Sequence, residues 1–119
     1  MEHSKEFLDI VNDAKNRIVE CDVDEAQARL KSGAVLIDVR EDNEWEAGHA
    51  AGAVHIGRGI IERDIVHRYP DKDEQLVLYC GGGYRSALAA DMLQKMGYHR
   101  VFSMDGGWKA WKESGAPVE

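Results

Sequence analysis

One run of the chain combines a thiol with an unusual backbone: Tyr79-Cys80-Gly81-Gly82-Gly83-Tyr84-Arg85-Ser86. A thiol becomes a nucleophile when it ionises to the thiolate. Three glycines in a row serve little packing purpose. They let the backbone curl so that successive N–H groups point into one cavity, an anion-binding nest. A helix starting near Arg85 adds unpaired N–H groups and the positive end of its dipole. Arg85 adds a full positive charge. Such surroundings favour the thiolate over the thiol, and the same donors would hold an incoming anion. The pattern therefore points to a nucleophilic cysteine, Cys80, acting on small anionic substrates. Gly81, Gly82, Gly83, Tyr84, Arg85 and Ser86 form its pocket, with Tyr84 shielding one side.

Two chemistries use a cysteine in such a loop. One is phosphoryl transfer, with five residues between cysteine and arginine. The other is sulfur transfer through a cysteine persulfide. Here four residues separate Cys80 from Arg85, and Ser86 stands at the phosphatase arginine position. The shorter loop makes a smaller cradle, suited to a single sulfur rather than a tetrahedral phosphate.

Other residues invite plainer readings. Cys21 is expected to be a buried, inert small hydrophobe. Asp38, Arg40 and Glu46 are expected to form a structural network, because a buried charge must be paired. Arg58, in His55-Ile56-Gly57-Arg58-Gly59, follows a strand end and is a candidate to face the pocket. His3, His49, His55, His67 and His99 lack zinc-type spacing, so no metal site is expected. His49 is expected to be a loop hydrogen-bonder rather than a base. Trp45, Trp108 and Trp111 are read as packing residues.

The elements that must position Cys80 follow from periodicity. Leu76-Val77-Leu78-Tyr79 is a continuous apolar run leading into the cysteine. Val35 to Val39 is a second such run. Both suit strands covered on two faces of a parallel sheet. Val19–Val23, Ala53–Ile56 and Val101–Met104 complete five strands. Between them come helices at Asp24–Gly33, with Asp24 and Gln27 as a capping box, at Glu41–Ala47, Ile60–Arg68, Arg85–Met96 and Trp108–Glu113. Leu88, Met92 and Met96 fall on one line of the fourth of these. Ahead of them, Phe7, Val11, Ala14 and Ile18 recur at steps of four, three and four, an amphipathic helix. Strands alternating with helices mean an α/β fold with a mainly parallel sheet.

The 119 residues suffice for one domain. Fifteen Lys and Arg against 22 Asp and Glu give a net charge of −7. That balance argues against nucleic acid and polybasic membrane surfaces as partners. Two cysteines make no disulfide framework. No apolar signal run opens the chain, and its longest apolar stretches of about five residues fall far short of the roughly 20 that span a bilayer. The expected setting is a reducing cytoplasm.

The chain resembles the single-domain rhodanese family. The resemblance is carried by Cys80-Gly81-Gly82-Gly83-Tyr84-Arg85-Ser86 as active-site loop and by Leu36-Ile37-Asp38-Val39-Arg40. It continues through Glu44-Trp45-Glu46-Ala47-Gly48-His49, Gly52-Ala53-Val54-His55-Ile56, and Met104-Asp105-Gly106-Gly107-Trp108 through Trp111. It covers roughly Val19 to Val118, and departs from common members at Gly81 and Gly82, where larger side chains are frequent. It implies a single rhodanese-like domain over residues 19–119, with a five-stranded sheet flanked by helices; the amphipathic helix ahead of it, over residues 1–18, is then an N-terminal extension. It implies a thiosulfate sulfurtransferase that works without a cofactor: Cys80 attacks the outer sulfur of thiosulfate, sulfite leaves, and the persulfide passes its sulfur on. The amides from Gly81 to Arg85 would hold the persulfide and Arg85 the sulfonate of the donor. The implied partners are a small anionic sulfur donor and a thiol or protein acceptor, with the chain a monomer or homodimer. A persulfide carrier loaded by a partner protein, with little activity on free thiosulfate, is the alternative; a cysteine-based phosphatase is the third reading.

Overall fold

Leu76, Val77, Leu78 and Tyr79 leave no polar side chain for a solvent-facing surface, and all four are buried in the middle of the sheet. The computed structural model describes residues 2–119. In chain order the elements are α1 (Lys5–Lys15), β1 (Val19–Cys21), α2 (Val23–Lys31), β2 (Val35–Asp38), α3 (Asp42–Ala47) and β3 (Val54–His55). They continue with α4 (Ile61–Arg68), β4 (Leu76–Tyr79), α5 (Tyr84–Lys95), β5 (Val101–Met104) and α6 (Gly107–Glu113). The five strands lie in the order β1-β5-β4-β2-β3, and every pairing is parallel. The α/β fold with a parallel five-stranded sheet is thus as expected.

Alternation along β4 divides the interior in two. Leu76, Leu78 and Cys80 join Ile37, Ile61, Ile65 and Leu93 on one side. Val77 and Tyr79 join Ala26, Met104 and Trp111 on the other. From β2 the chain moves outward to β3; from β4 it moves the opposite way, to β5. The carboxyl ends of β2 and β4 therefore flank the crevice at which open α/β sheets bind ligands.

Several boundaries differ from expectation. The capping box of α2 is Asp22 with Glu25: the Asp22 carboxylate accepts from Glu25 N at 2.8 Å, and Glu25 accepts from Asp22 N at 3.2 Å. The helix therefore starts earlier, and β1 ends at Cys21. Helix α5 begins at Tyr84, capped by Gly83. Along the line of Leu88, Met92 and Met96, Leu88 is buried and Met92 is 41% exposed, and α5 turns Ala87, Ala89, Ala90 and Leu93 to the interior beside it. Helix α1 packs on α5 through Val11 and Ala14 against Ala87 and Leu88.

The start of α6 braces the loop after β4. Trp108 N donates to Cys80 O at 2.7 Å and Lys109 N to Gly81 O at 3.3 Å. Gly107 makes this approach sterically feasible. Its φ is +51°, and a Cβ there would lie 2.3 Å from Cys80 O. Gly107→Ala must push α6 away from the loop, a change expected to cost about 1–3 kcal/mol. Urea unfolding measures it; a variant as stable as the parent would show that the two segments are not held this closely.

Candidate active site

Cys80 is the first residue past β4, and its side chain is 1% exposed at the base of a cleft of about 640 Å³. Two backbone amides end on its sulfur: Gly83 N at 3.1 Å and Ser86 N at 3.4 Å. Ser86 Oγ lies 3.5 Å from the same sulfur and 2.8 Å from Ser103 Oγ of β5. The two converging N–H donors fix the sulfur in place as a hydrogen-bond acceptor at the base of the loop.

The three loop glycines play three different parts. Gly83 has φ +105° and caps α5, a conformation that turns its N–H toward the sulfur. Gly81 is crowded: a Cβ there would lie 3.1 Å from an Arg85 guanidinium nitrogen. Gly82 is exposed, and a Cβ there would meet nothing within 4 Å.

Arg85 does not bring an unopposed charge to the cleft. Its guanidinium forms a bidentate pair with Glu44 of α3, Nη1 to Oε1 at 2.6 Å and Nη2 to Oε2 at 3.0 Å. Glu44 Oε1 also accepts from Glu41 N at 3.0 Å, which ties the start of α3 to the start of α5 across the cleft. The Arg85 guanidinium, helped by that amide, holds the Glu44 carboxyl at about 2, well below the carboxylate range. The sequence pattern does not single out Glu44. Its signal is the reciprocal spacing of Glu41 and Glu44 at the start of a short helix.

Arg58 lines the same cleft, is exposed, and makes no ion pair among the described residues. Tyr84 lines it too, edge-on to His3 and Phe7 from the N-terminal segment. Asp38 and Arg40 form the expected buried pair, Arg40 Nη2 reaching Asp38 Oδ2 at 2.8 Å and Gly48 O at 2.7 Å. Glu46 takes no part in it; the residue is exposed, because α3 turns Glu44 inward instead. His49 packs flat on Trp45 with ring centroids 3.5 Å apart, and its Nδ1 lies 3.0 Å from Trp45 O, away from the sulfur. Cys21 is buried, and burial pushes its thiol up to about 11, so it stays a protonated hydrophobe.

Comparison with known proteins agrees with this architecture. The rhodanese-like domain model matches residues 22–114. The thiosulfate sulfurtransferase GlpE of Pseudomonas syringae pv. syringae (strain B728a) is 38% identical over 89 residues, covering 75% of this chain and 82% of that protein. The polysulfide-sulfur transferase homodimer of Wolinella succinogenes superposes with a TM-score of 0.82 at 28% identity, covering 95% of this chain and 86% of that one. A protein of unknown function from Rhodopseudomonas palustris CGA009, described as a possible tyrosine phosphatase, superposes at 0.84 with 31% identity over 100% of this chain and 98% of that one.

Two predictions follow from the geometry. Gly82→Ala should leave stability unchanged, whereas Gly83→Ala should lose about 1–3 kcal/mol from its left-handed backbone. Thermal melts of the two variants compare them, and equal losses would contradict the assignment. The second concerns Glu44, whose carboxyl is lowered by Arg85 from an ordinary 4.5 to about 2. A depressed carboxyl stabilises the fold above the unfolded value and loses that contribution as pH falls through the folded one. Glu44→Gln should therefore be less stable than the parent at neutral pH, with the gap closing between about pH 4.5 and pH 2. Urea titrations across that range test it; a gap that stays constant into acid would mean the pair carries no net stabilisation.

Proposed function

The chain belongs to the rhodanese-like domain family of sulfurtransferases, and from that premise we propose that it moves sulfane sulfur from thiosulfate, or a similar donor, to a thiophilic acceptor through a persulfide on Cys80. The observation that carries the proposal is the pair of amides, Gly83 N and Ser86 N, that end on Cys80 Sγ. In the first step the Cys80 thiolate attacks the outer sulfur of thiosulfate. The donor's S–S bond breaks, and sulfite leaves with the bonding electron pair. The outer sulfur stays on Cys80 as a persulfide anion, among the amides of Gly81 to Arg85. Ser86 Oγ, which accepts from the Cys80 thiol at 3.5 Å and lies 2.8 Å from Ser103 Oγ, can turn its own hydroxyl toward the sulfur once that proton is gone. With Arg85 engaged by Glu44, Arg58 is the cleft cation left to meet the sulfonate end of the donor.

In the second step an acceptor nucleophile attacks the terminal sulfur, and Cys80 departs as thiolate. No metal or cofactor enters this scheme. The division into a helical extension over residues 1–18 and a rhodanese-like domain over 19–119 belongs to the same reading. So does a reducing cytoplasmic setting, which would keep Cys80 a free thiol. Among the described residues, no helix is long and apolar enough to cross a membrane.

A second reading, a cysteine phosphatase, draws on the likeness to the Rhodopseudomonas palustris protein. Against it stands the engagement of Arg85 by Glu44, which leaves that guanidinium less free to cradle a phosphate.

Incubating the protein with thiosulfate in the absence of reductant should add one sulfur atom to its intact mass. The gain should vanish on adding cyanide and be absent in Cys80→Ser. No gain in the parent protein, together with Cys80-dependent hydrolysis of an aryl phosphate, would replace the first reading by the second.

A further inference from the structure

We infer that the N-terminal helix is part of the substrate site, and that the acceptor it helps to select is a small organic thiol with an apolar body and a carboxylate. The inference rests on the sulfurtransferase reading and adds the acceptor's chemical class to it. The first observation is size. The cleft over Cys80 holds about 640 Å³, within the roughly 300–1,000 Å³ of pockets that enclose organic ligands. A small inorganic donor would occupy only a corner of it.

The second observation is what forms one wall. His3 and Phe7 lie outside residues 22–114, the segment that matches the family model. The His3 ring stands edge-on to Tyr84, centroids 4.8 Å apart at 81°, and lies 5.1 Å from Phe7. Phe7 also meets Tyr84 edge-on, at 6.4 Å and 81°. Phe7 and Tyr84, with the His3 ring packed against both, make an aromatic surface that favours a hydrophobic body over water. The wall is fixed rather than a fraying terminus. Val11 and Ala14 are buried against α5, and Arg17 grips Asp91 with Nε to Oδ1 at 3.0 Å and Nη2 to Oδ2 at 2.8 Å. Ser4 caps α1 by accepting from Phe7 N at 3.1 Å, which sets the entry of His3.

The third observation is charge. Glu44 neutralises Arg85, so Arg58 is the cleft guanidinium that makes no ion pair among the described residues. On a chain of net charge −7, a local cation beside an apolar wall selects a ligand with one anionic group. The transfer balances without an oxidant. The acceptor thiol loses its proton to solvent and attacks the outer sulfur of the Cys80 persulfide. That S–S bond breaks, a new one forms on the acceptor, and Cys80 is released as thiolate.

The test measures sulfur transfer from thiosulfate to three acceptors: cyanide, 4-mercaptobenzoate and its neutral amide, 4-mercaptobenzamide. The parent protein should prefer the acid over the amide, and Arg58→Gln should erase that preference. Phe7→Ala should raise the KM for 4-mercaptobenzoate roughly tenfold relative to that for cyanide in the same variant, the scale of one lost aromatic contact. Phe7→Leu, which keeps most of the packing volume, and His3→Ala should shift the ratio in the same direction if Phe7→Ala fails to fold. Ratios that stay at the parent value in Phe7→Leu and His3→Ala, with normal loading of Cys80 by mass, would overturn this inference alone. Failure of the parent protein to load would overturn the sulfurtransferase reading beneath it.

Discussion

Two amide hydrogens meeting on one sulfur is the constraint around which this molecule is arranged. The sulfur of Cys80 can accept from Gly83 and Ser86 only if the chain turns back sharply after β4 and enters α5 at once. That turn needs a left-handed residue at the cap, which Gly83 supplies. It also needs the loop's own carbonyls satisfied from outside, which the start of α6 does by donating to Cys80 O and Gly81 O. A buried polar loop left unpaired would cost more than its packing returns. The parallel sheet sets the stage, because β4 is flanked on both sides and its carboxyl end cannot drift.

The electrostatics of the site are more restrained than a loop with an arginine suggests. Glu44 and Arg85 form a half-exposed bidentate pair, so their charges largely cancel at the rim. The groups that reach the sulfur at short range are then the amides of Gly83 and Ser86 and the Ser86 hydroxyl. Dipoles held in place need no reorganisation when charge arrives, and they do not bind passing anions as strongly as a bare guanidinium would.

What could be read from sequence was what local patterns encode. The strand Leu76–Tyr79 and the loop after it were legible because an unbroken apolar run fixes the strand and a glycine triplet behind a cysteine fixes the turn. Glu44 was not legible in its role. Glu44 and Glu46 flank Trp45 on a six-residue helix, and only the tertiary placement of α3 decides which one faces the cleft. The choice between Asp22 and Asp24 as cap of α2 turned on a similar near-tie, settled by the reciprocal bond that Glu25 can make with Asp22. Met92 obeyed helical spacing yet stayed exposed, since small alanines on the neighbouring face let α5 pack closely elsewhere. The amphipathic helix α1 announced that it had a partner surface, but periodicity carries no information about which surface that is.

That surface turns out to be α5, the helix that the active-site loop begins. Through Val11, Ala14 and the Arg17–Asp91 pair, α1 is fastened along the same helix whose first turn carries Tyr84, Arg85 and Ser86. One face of α5 thus meets the core behind the sulfur, and another receives the extension whose rings line the cleft. The two halves of the site share a rigid rod, so any shift of α1 along α5 would move the aromatic wall relative to the sulfur without altering the amides that hold it. The amides that end on the sulfur are in this way set at the capped end of α5, and the aromatic wall by what is packed against its side.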